Sequence, residues 1–218
     1  MTAEPPSEMG MTMGEALDAQ PNIAAEAPKS AGPGASAYAS AYANALENTA
    51  ANGHGNERAN ADASFGALRT LVLPPRERGR ILAGARRAGE REACGLLLGL
   101  RQAATTSVAR AACLENVNPP SSGVGFRLHP VAHLRWERWA HAAGLAVVGV
   151  WHSHPGGPGW PSRADRAGAA EGWSHLIAAP GAGGELHLRS WSVVGGALAE
   201  QILLAGPDPA SPILTPTR

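Results

Sequence analysis

Two histidines one residue apart, His152 and His154, close the apolar run Leu145 to Trp151. Side chains at i and i+2 of a strand share one face. The pair therefore forms a two-toothed grip for a metal at the end of a buried strand. Pro155 follows at once and ends any ladder. The next stretch, Pro155 to Pro161, holds three glycines and three prolines in seven residues and must turn tightly. It delivers Ser162 and Asp165, a Ser-x-x-Asp ahead of an Ala-rich run. That spacing reads as a capping box, which satisfies the free N–H groups of a helix start. An Asp in a first helical turn can also swing toward a cation, so two roles compete for one carboxylate. His, His and Asp with one open position is the ligand set of a catalytic zinc site.

Hydrolysis at such a centre also needs a carboxylate that is not a ligand, to take a proton from water. Glu92 stands at the head of the apolar run Ala93 to Leu100, where a charge is unusual unless it faces a site. Glu90 lies on the same side if that stretch is extended, and spacing alone does not separate the two.

The elements that must position these residues are legible as alternating strands and helices. Leu68 to Leu73 reads as a strand, and Pro74-Pro75 opens a helix through about Ala88 with Ile81, Leu82 and Ala85 on one face. Gly89 ends it. Ala93 to Leu100 has the continuous apolarity of a central strand, and Thr105 to Leu114 alternates as a further one. A loop follows from Asn116 to Gly125. Pro130 to Ala143 has helical spacing, with Val131, Leu134 and Trp139 as candidate inner residues, and Gly144 stops it. After the strand to Trp151 come a short helix from Ser162 to about Glu171 and strands at His175 to Ala178, Glu185 to Val194 and Leu198 to Leu204. This is an α/β (α+β) domain over about residues 66–206.

Residues 1–65 carry Lys29 and Arg58 against eight acids, a net charge of −6, and almost no branched apolar residues. Such a leader cannot bury enough surface to offset its ordering entropy, which predicts disorder. The remainder carries sixteen arginines against ten acids, a net +6. Those arginines are scattered along the sequence, so no nucleic-acid partner is expected. Residues 207–218, rich in proline, read as a flexible tail. Cys94 and Cys113 are too few for a disulfide framework and read as small buried hydrophobes. No run reaches the roughly 18 apolar residues of a membrane helix, and no secretory signal is visible; the expected location is the cytoplasm. His129, His133, His141 and His187 read as surface or structural residues, as does His175. Trp151 reads as core, Trp173 and Trp191 as packing, and Trp160 as a wall of a substrate channel.

Glu92-Ala-Cys-Gly-Leu-Leu-Leu-Gly, then His152-Ser-His154-Pro, seven residues of loop and Ser162-x-x-Asp165, resembles the JAMM (MPN+) metalloprotease family, in its compact prokaryotic branch. Asn116-Val-Asn-Pro119, Phe126-Arg-Leu-His-Pro130 and Arg189-Ser-Trp191 extend the likeness over about residues 68 to 205. The resemblance implies a mixed, curved sheet flanked by helices, of the cytidine-deaminase-like kind. It implies one Zn2+ per chain held by His152, His154 and Asp165. Glu92 rather than Glu90 would be the general base, and Ser162 the donor to the developing oxyanion. The reaction implied is hydrolysis of a peptide or isopeptide bond after the tail of a ubiquitin-like protein. Only seven residues separate Asp165 from Trp173, too few for an insertion that reads chain linkage. A small sulfur-carrier protein ending in Gly-Gly is the expected partner, its tail adding to an edge strand guessed at Thr105 to Ala112. Two alternatives stay open: an endopeptidase acting on cell-wall or phage-tail peptides, and a scaffold without catalysis.

Overall fold

The computed structural model describes residues 69–122 and 125–208. The expected acidic leader lies outside the described residues, as does most of the expected tail. Seven strands occur among the described residues: β1 (Thr70–Leu73), β2 (Cys94–Gln102), β3 (Thr105–Leu114), β4 (Ala146–Ser153), β5 (Ser174–Pro180), β6 (Leu186–Val194) and β7 (Ala197–Ala205). Three α-helices accompany them: α1 (Pro75–Ala88), α2 (Pro130–Ala142) and α3 (Arg163–Gly168). Each expected element is present, but the third helix is shorter than its Ala-rich sequence predicts, giving way to extended backbone at Ala169.

The expected mixed sheet is present and closes on itself, in the order β1-β3-β2-β4-β5-β6-β7. Closure comes from β1, which runs parallel to both β3 and β7, with Thr70–Leu73 facing Ile202–Ala205. β4 lies between antiparallel β2 and parallel β5. His152 is therefore flanked by Cys94 on one side and Ile177 on the other. The ladder continues one step past β2, because Ser153 N–H donates to the Ala93 carbonyl (2.9 Å) and Ala93 N–H to Ser153 Oγ (2.8 Å). The serine between the two histidines thus sets the register that brings Glu92 across from His154.

Two apolar cores sandwich this ring of strands. α1 packs Ile81 and Ala85 against Leu97, Val148 and Trp151, the stripe its spacing predicts. α2 differs from expectation. Val131 and Leu134 are about half exposed, at 52% and 48%. The inward stripe is Ala132, Trp136 and Ala140, four residues apart, against Leu96, Leu98 and Val150. Small alanines let the helix backbone approach the sheet and leave Trp136 to fill the space. A hydrophobicity count gives those alanines too little weight.

The guess that Thr105 to Ala112 forms a free edge is also corrected. Thr105–Ser107 is paired with β1 on one side and β2 on the other. Farther along, the buried carboxylate of Glu77 in α1 accepts the Ala111 N–H at 2.8 Å, with Arg80 Nε at 3.2 Å. A helix side chain replaces a missing strand there, so no tail can add at that position.

Gly95 has a packing role. The Trp151 indole lies on β2 and donates Nε1–H to the Ala112 carbonyl at 2.8 Å; a Cβ at Gly95 would collide with both groups. Gly95→Ala is expected to destabilise the fold by about 1–3 kcal/mol, read as a lower urea midpoint at unchanged slope.

Candidate metal centre

His152 and His154 leave the end of β4 on the face that carries α2, and both are buried. The tight loop after them returns Asp165 to the same spot in the first turn of α3. His152 Nε2 lies 3.0 Å from His154 Nε2 and 3.2 Å from Asp165 Oδ1; His154 Nε2 lies 3.4 Å from Asp165 Oδ2. Around a tetrahedral zinc with bonds of about 2.0–2.1 Å, ligand atoms sit about 3.3 Å apart. Two imidazole nitrogens and one carboxylate thus converge at about that spacing, and these residues can hold such an ion.

The ring nitrogens agree with this. His154 Nδ1 is 2.8 Å from the Pro158 carbonyl, which can only accept, so Nδ1 carries the proton and Nε2 presents its lone pair to the centre. The Phe126 ring stacks on His152 at 4.6 Å and 24°, fixing that imidazole as well. Two lone pairs 3.0 Å apart and backed by a carboxylate favour a cation between them. Burial pulls the Asp165 carboxyl upward, but its contacts with His152 and His154 outweigh that and hold it well below the usual range. The contact with Asp165 raises His154, against the opposing effect of burial.

Asp165 fills both roles read from its sequence. Ser162 N–H donates to Oδ2 at 2.6 Å, and Asp165 N–H donates to Ser162 Oγ at 3.1 Å, a complete capping box. The carboxylate nevertheless faces both imidazoles, so the roles do not compete. The bond to Ser162 uses an oxygen lone pair and leaves the hydroxyl proton available, on an exposed side chain.

Glu92 is 7% exposed and Glu90 is on the surface. Burial raises the Glu92 carboxyl above its ordinary value, the two histidines lower it, and Asp165 raises it again. It therefore shares the field of the site without forming one of the converging ligand set.

What holds Glu92 there was present in the sequence only as a likeness, with no role attached. Asn116 Nδ2 donates to the Glu92 carbonyl (2.8 Å) and to the Gly125 carbonyl (3.1 Å), while Oδ1 accepts Asn118 N–H (2.9 Å) and Arg127 N–H (3.0 Å). One amide thus ties the Glu92 backbone to the loop that carries Phe126. Asn-x-Asn-Pro is a turn signal of this kind. Asn116→Ala is expected to cost about 1–3 kcal/mol, as partly buried carbonyls lose their donors, measurable by urea unfolding of the metal-free chain.

The remaining sequence candidates fall outside this cluster. His129 caps α2, with Nδ1 3.4 Å from Ala132 N. His133 meets Trp173 edge-on, His141 is exposed, and His187 pairs with Glu185 on the surface. Cys94 is buried and Cys113 half-buried, and neither is bridged; burial pushes the Cys94 thiol up to about 12. Trp151 and Trp191 are core. Trp160 is 55% exposed, with the Arg189 guanidinium 3.7 Å over its ring and Trp191 behind it at 5.2 Å.

Comparison with known proteins gives the family of the chain. A family model described as prokaryotic homologs of the JAB domain matches residues 74–194, more than half of the chain, and the chain belongs to that family. It is 30% identical over 112 residues to a CD-NTase/cGAS isopeptidase of Enterobacter hormaechei subsp. hoffmannii, covering 47% of this chain and 58% of that one. The chain thus spans little more than half the length of that relative. The solution structure of protein DSY2949 from Desulfitobacterium hafniense superposes with a TM-score of 0.56 at 26% identity, covering 63% of this chain and 94% of the other. A JAB1/MPN domain protein from Archaeoglobus fulgidus gives 0.37 at 19% identity over 64% and 99%. Among the described residues no helix is long and apolar enough to cross a membrane.

Proposed function

We propose that this chain is a zinc-dependent peptidase or isopeptidase that cuts an amide bond after the Gly-Gly tail of a ubiquitin-like sulfur-carrier protein. The observation that carries the reading is the spacing of His152 Nε2, His154 Nε2 and Asp165 at 3.0–3.4 Å, with a buried non-ligand carboxylate beside them. Family membership and a relative named as an isopeptidase support the same reaction class.

When bound, the ion supplies Lewis acidity, polarising the scissile carbonyl and acidifying water at the open position. The residues of the chain divide the remaining work. Glu92 takes the proton from the attacking water and hands it to the leaving amine as the C–N bond breaks. Its raised proton affinity suits both halves of that task, since a base poised nearer neutrality also releases its proton as an acid. Ser162 donates its free hydroxyl proton to the carbonyl oxygen as negative charge develops, a contact worth about 3 kcal/mol in comparable sites. Phe126 and the Pro158 carbonyl hold the two imidazoles in place.

The loop from Pro155 to Pro161 is held at two of its carbonyls, Pro158 by His154 and Gly159 by Trp191 Nε1 (3.3 Å).

The test is to incubate the zinc-loaded chain with sulfur-carrier proteins extended past their Gly-Gly ends and to weigh the products. Cleavage after the second glycine, abolished by a chelator and restored by zinc, is the expected result. A zinc-loaded chain that leaves every extended carrier intact rules out this substrate class.

A further inference from the structure

His175 in β5 is a buried imidazole, 6% exposed, that the proposed reaction does not use. The parallel β4–β5 register sets Val150 beside His175 and His152 beside Ile177. His152 and His175 therefore point to the same face of adjacent strands. They are diagonal neighbours, a relation that spans about 7–8 Å and is within reach of aromatic side chains.

Their unpartnered nitrogens are complementary. His152 directs Nε2 at Asp165 and His154, so in the metal-holding tautomer its proton sits on Nδ1; that atom is buried and has no partner among the described residues. His175 faces the Ala170 carbonyl, which accepts only. Its Nε2 is the atom left buried and unpartnered, so the nitrogen at Ala170 is Nδ1 and bears the proton. Nε2 of His175 is then a lone-pair acceptor, and Nδ1 of His152 is a donor in need of one. His175 also lies close enough to feel the charges of His152 and Asp165.

We propose that His175 is a positioning residue for the metal centre, its Nε2 accepting the Nδ1 proton of His152 through one bridging water molecule. This inference rests on the zinc reading above. A ligating histidine whose other nitrogen is hydrogen-bonded is a better and more rigid ligand, and loss of such a partner costs about 10–100-fold in metal affinity.

The experiment measures zinc affinity of the full chain by competition with a chromophoric chelator, for the native protein, His175→Leu and His175→Gln. His175→Leu, which fills the space without an acceptor, is expected to bind zinc about 10–100-fold more weakly. His175→Gln, whose side-chain carbonyl can accept, is expected to recover most of that loss. Nitrogen-15 spectra of the native zinc-loaded chain are expected to show His175 protonated on Nδ1 only. If His175→Leu does not fold, His175→Gln and the native spectra decide. Zinc binding by His175→Leu equal to native, no advantage of Gln over Leu, or a proton on His175 Nε2 each overturns this inference alone. A native chain that binds no zinc overturns the zinc reading and this one with it.

Discussion

Glu92→Gln is expected to bind zinc nearly as well as the native chain while hydrolysing about 10²–10⁴-fold more slowly, the range lost when a positioned proton carrier is removed. The substitution keeps shape and hydrogen bonding but removes the group that exchanges protons. Zinc affinity should hold because Glu92 is outside the converging ligand set. Stability should hold or rise. A carboxyl whose folded-state pKa is raised by burial is destabilising when ionised. That cost is present at neutral pH and is relieved as pH falls through the folded value. Gln carries no such cost, so the variant is expected to unfold at equal or higher urea at pH 7. Full turnover by a zinc-loaded Glu92→Gln protein would move the proton transfer to another group.

Asp165→Asn is the second large effect. It turns the proposed carboxylate ligand into a neutral amide and so removes the negative charge that faces both imidazoles. Zinc affinity is expected to fall by at least about a hundredfold, the most that losing a mere outer partner costs. The pH dependence follows from His154, which Asp165 raises above its ordinary value. Protons therefore compete with the metal at His154 at higher pH than at an ordinary imidazole, and native zinc affinity falls as pH falls through that range. Without the Asp165 charge His154 loses its largest upward influence, so in Asp165→Asn the same loss begins at lower pH. Isothermal titration of zinc at two or three pH values reads both effects. A zinc affinity unchanged by the substitution would place the ion elsewhere.

Much of the arrangement was legible in the sequence because it depends on local rules. The i, i+2 relation put both histidines on one face, and Ser-x-x-Asp announced the helix start that carries Asp165. Apolar runs bounded by glycine and proline located the strands. What stayed hidden depends on partners distant in sequence. Nothing in Thr70–Leu73 reveals that it pairs on both sides and closes the ring, or that Glu77 stands in for a strand at Ala111. The phase of α2 was misread because two alanines and Trp136 pack inward where Val131 and Leu134 look more apolar. Spacing left Glu90 and Glu92 equivalent, and only the turn after α1 separates an exposed side chain from a buried one. Asn116 was visible only as the start of a loop and part of the family likeness, and its grip on the Glu92 carbonyl spans 24 residues.

The double engagement of Asp165 also bears on how the molecule assembles. α3 has only six residues, far fewer than a helix needs to persist by itself in water. Its N-terminal clasp is built from the same carboxylate that faces the imidazoles. If the proposed site holds zinc, metal occupancy and order in the stretch from Pro155 to Gly168 form one coupled equilibrium, in which free zinc above its dissociation constant also favours the helical state of that segment. Trypsin cutting after Arg163 and Arg166 is then expected to slow as zinc is added.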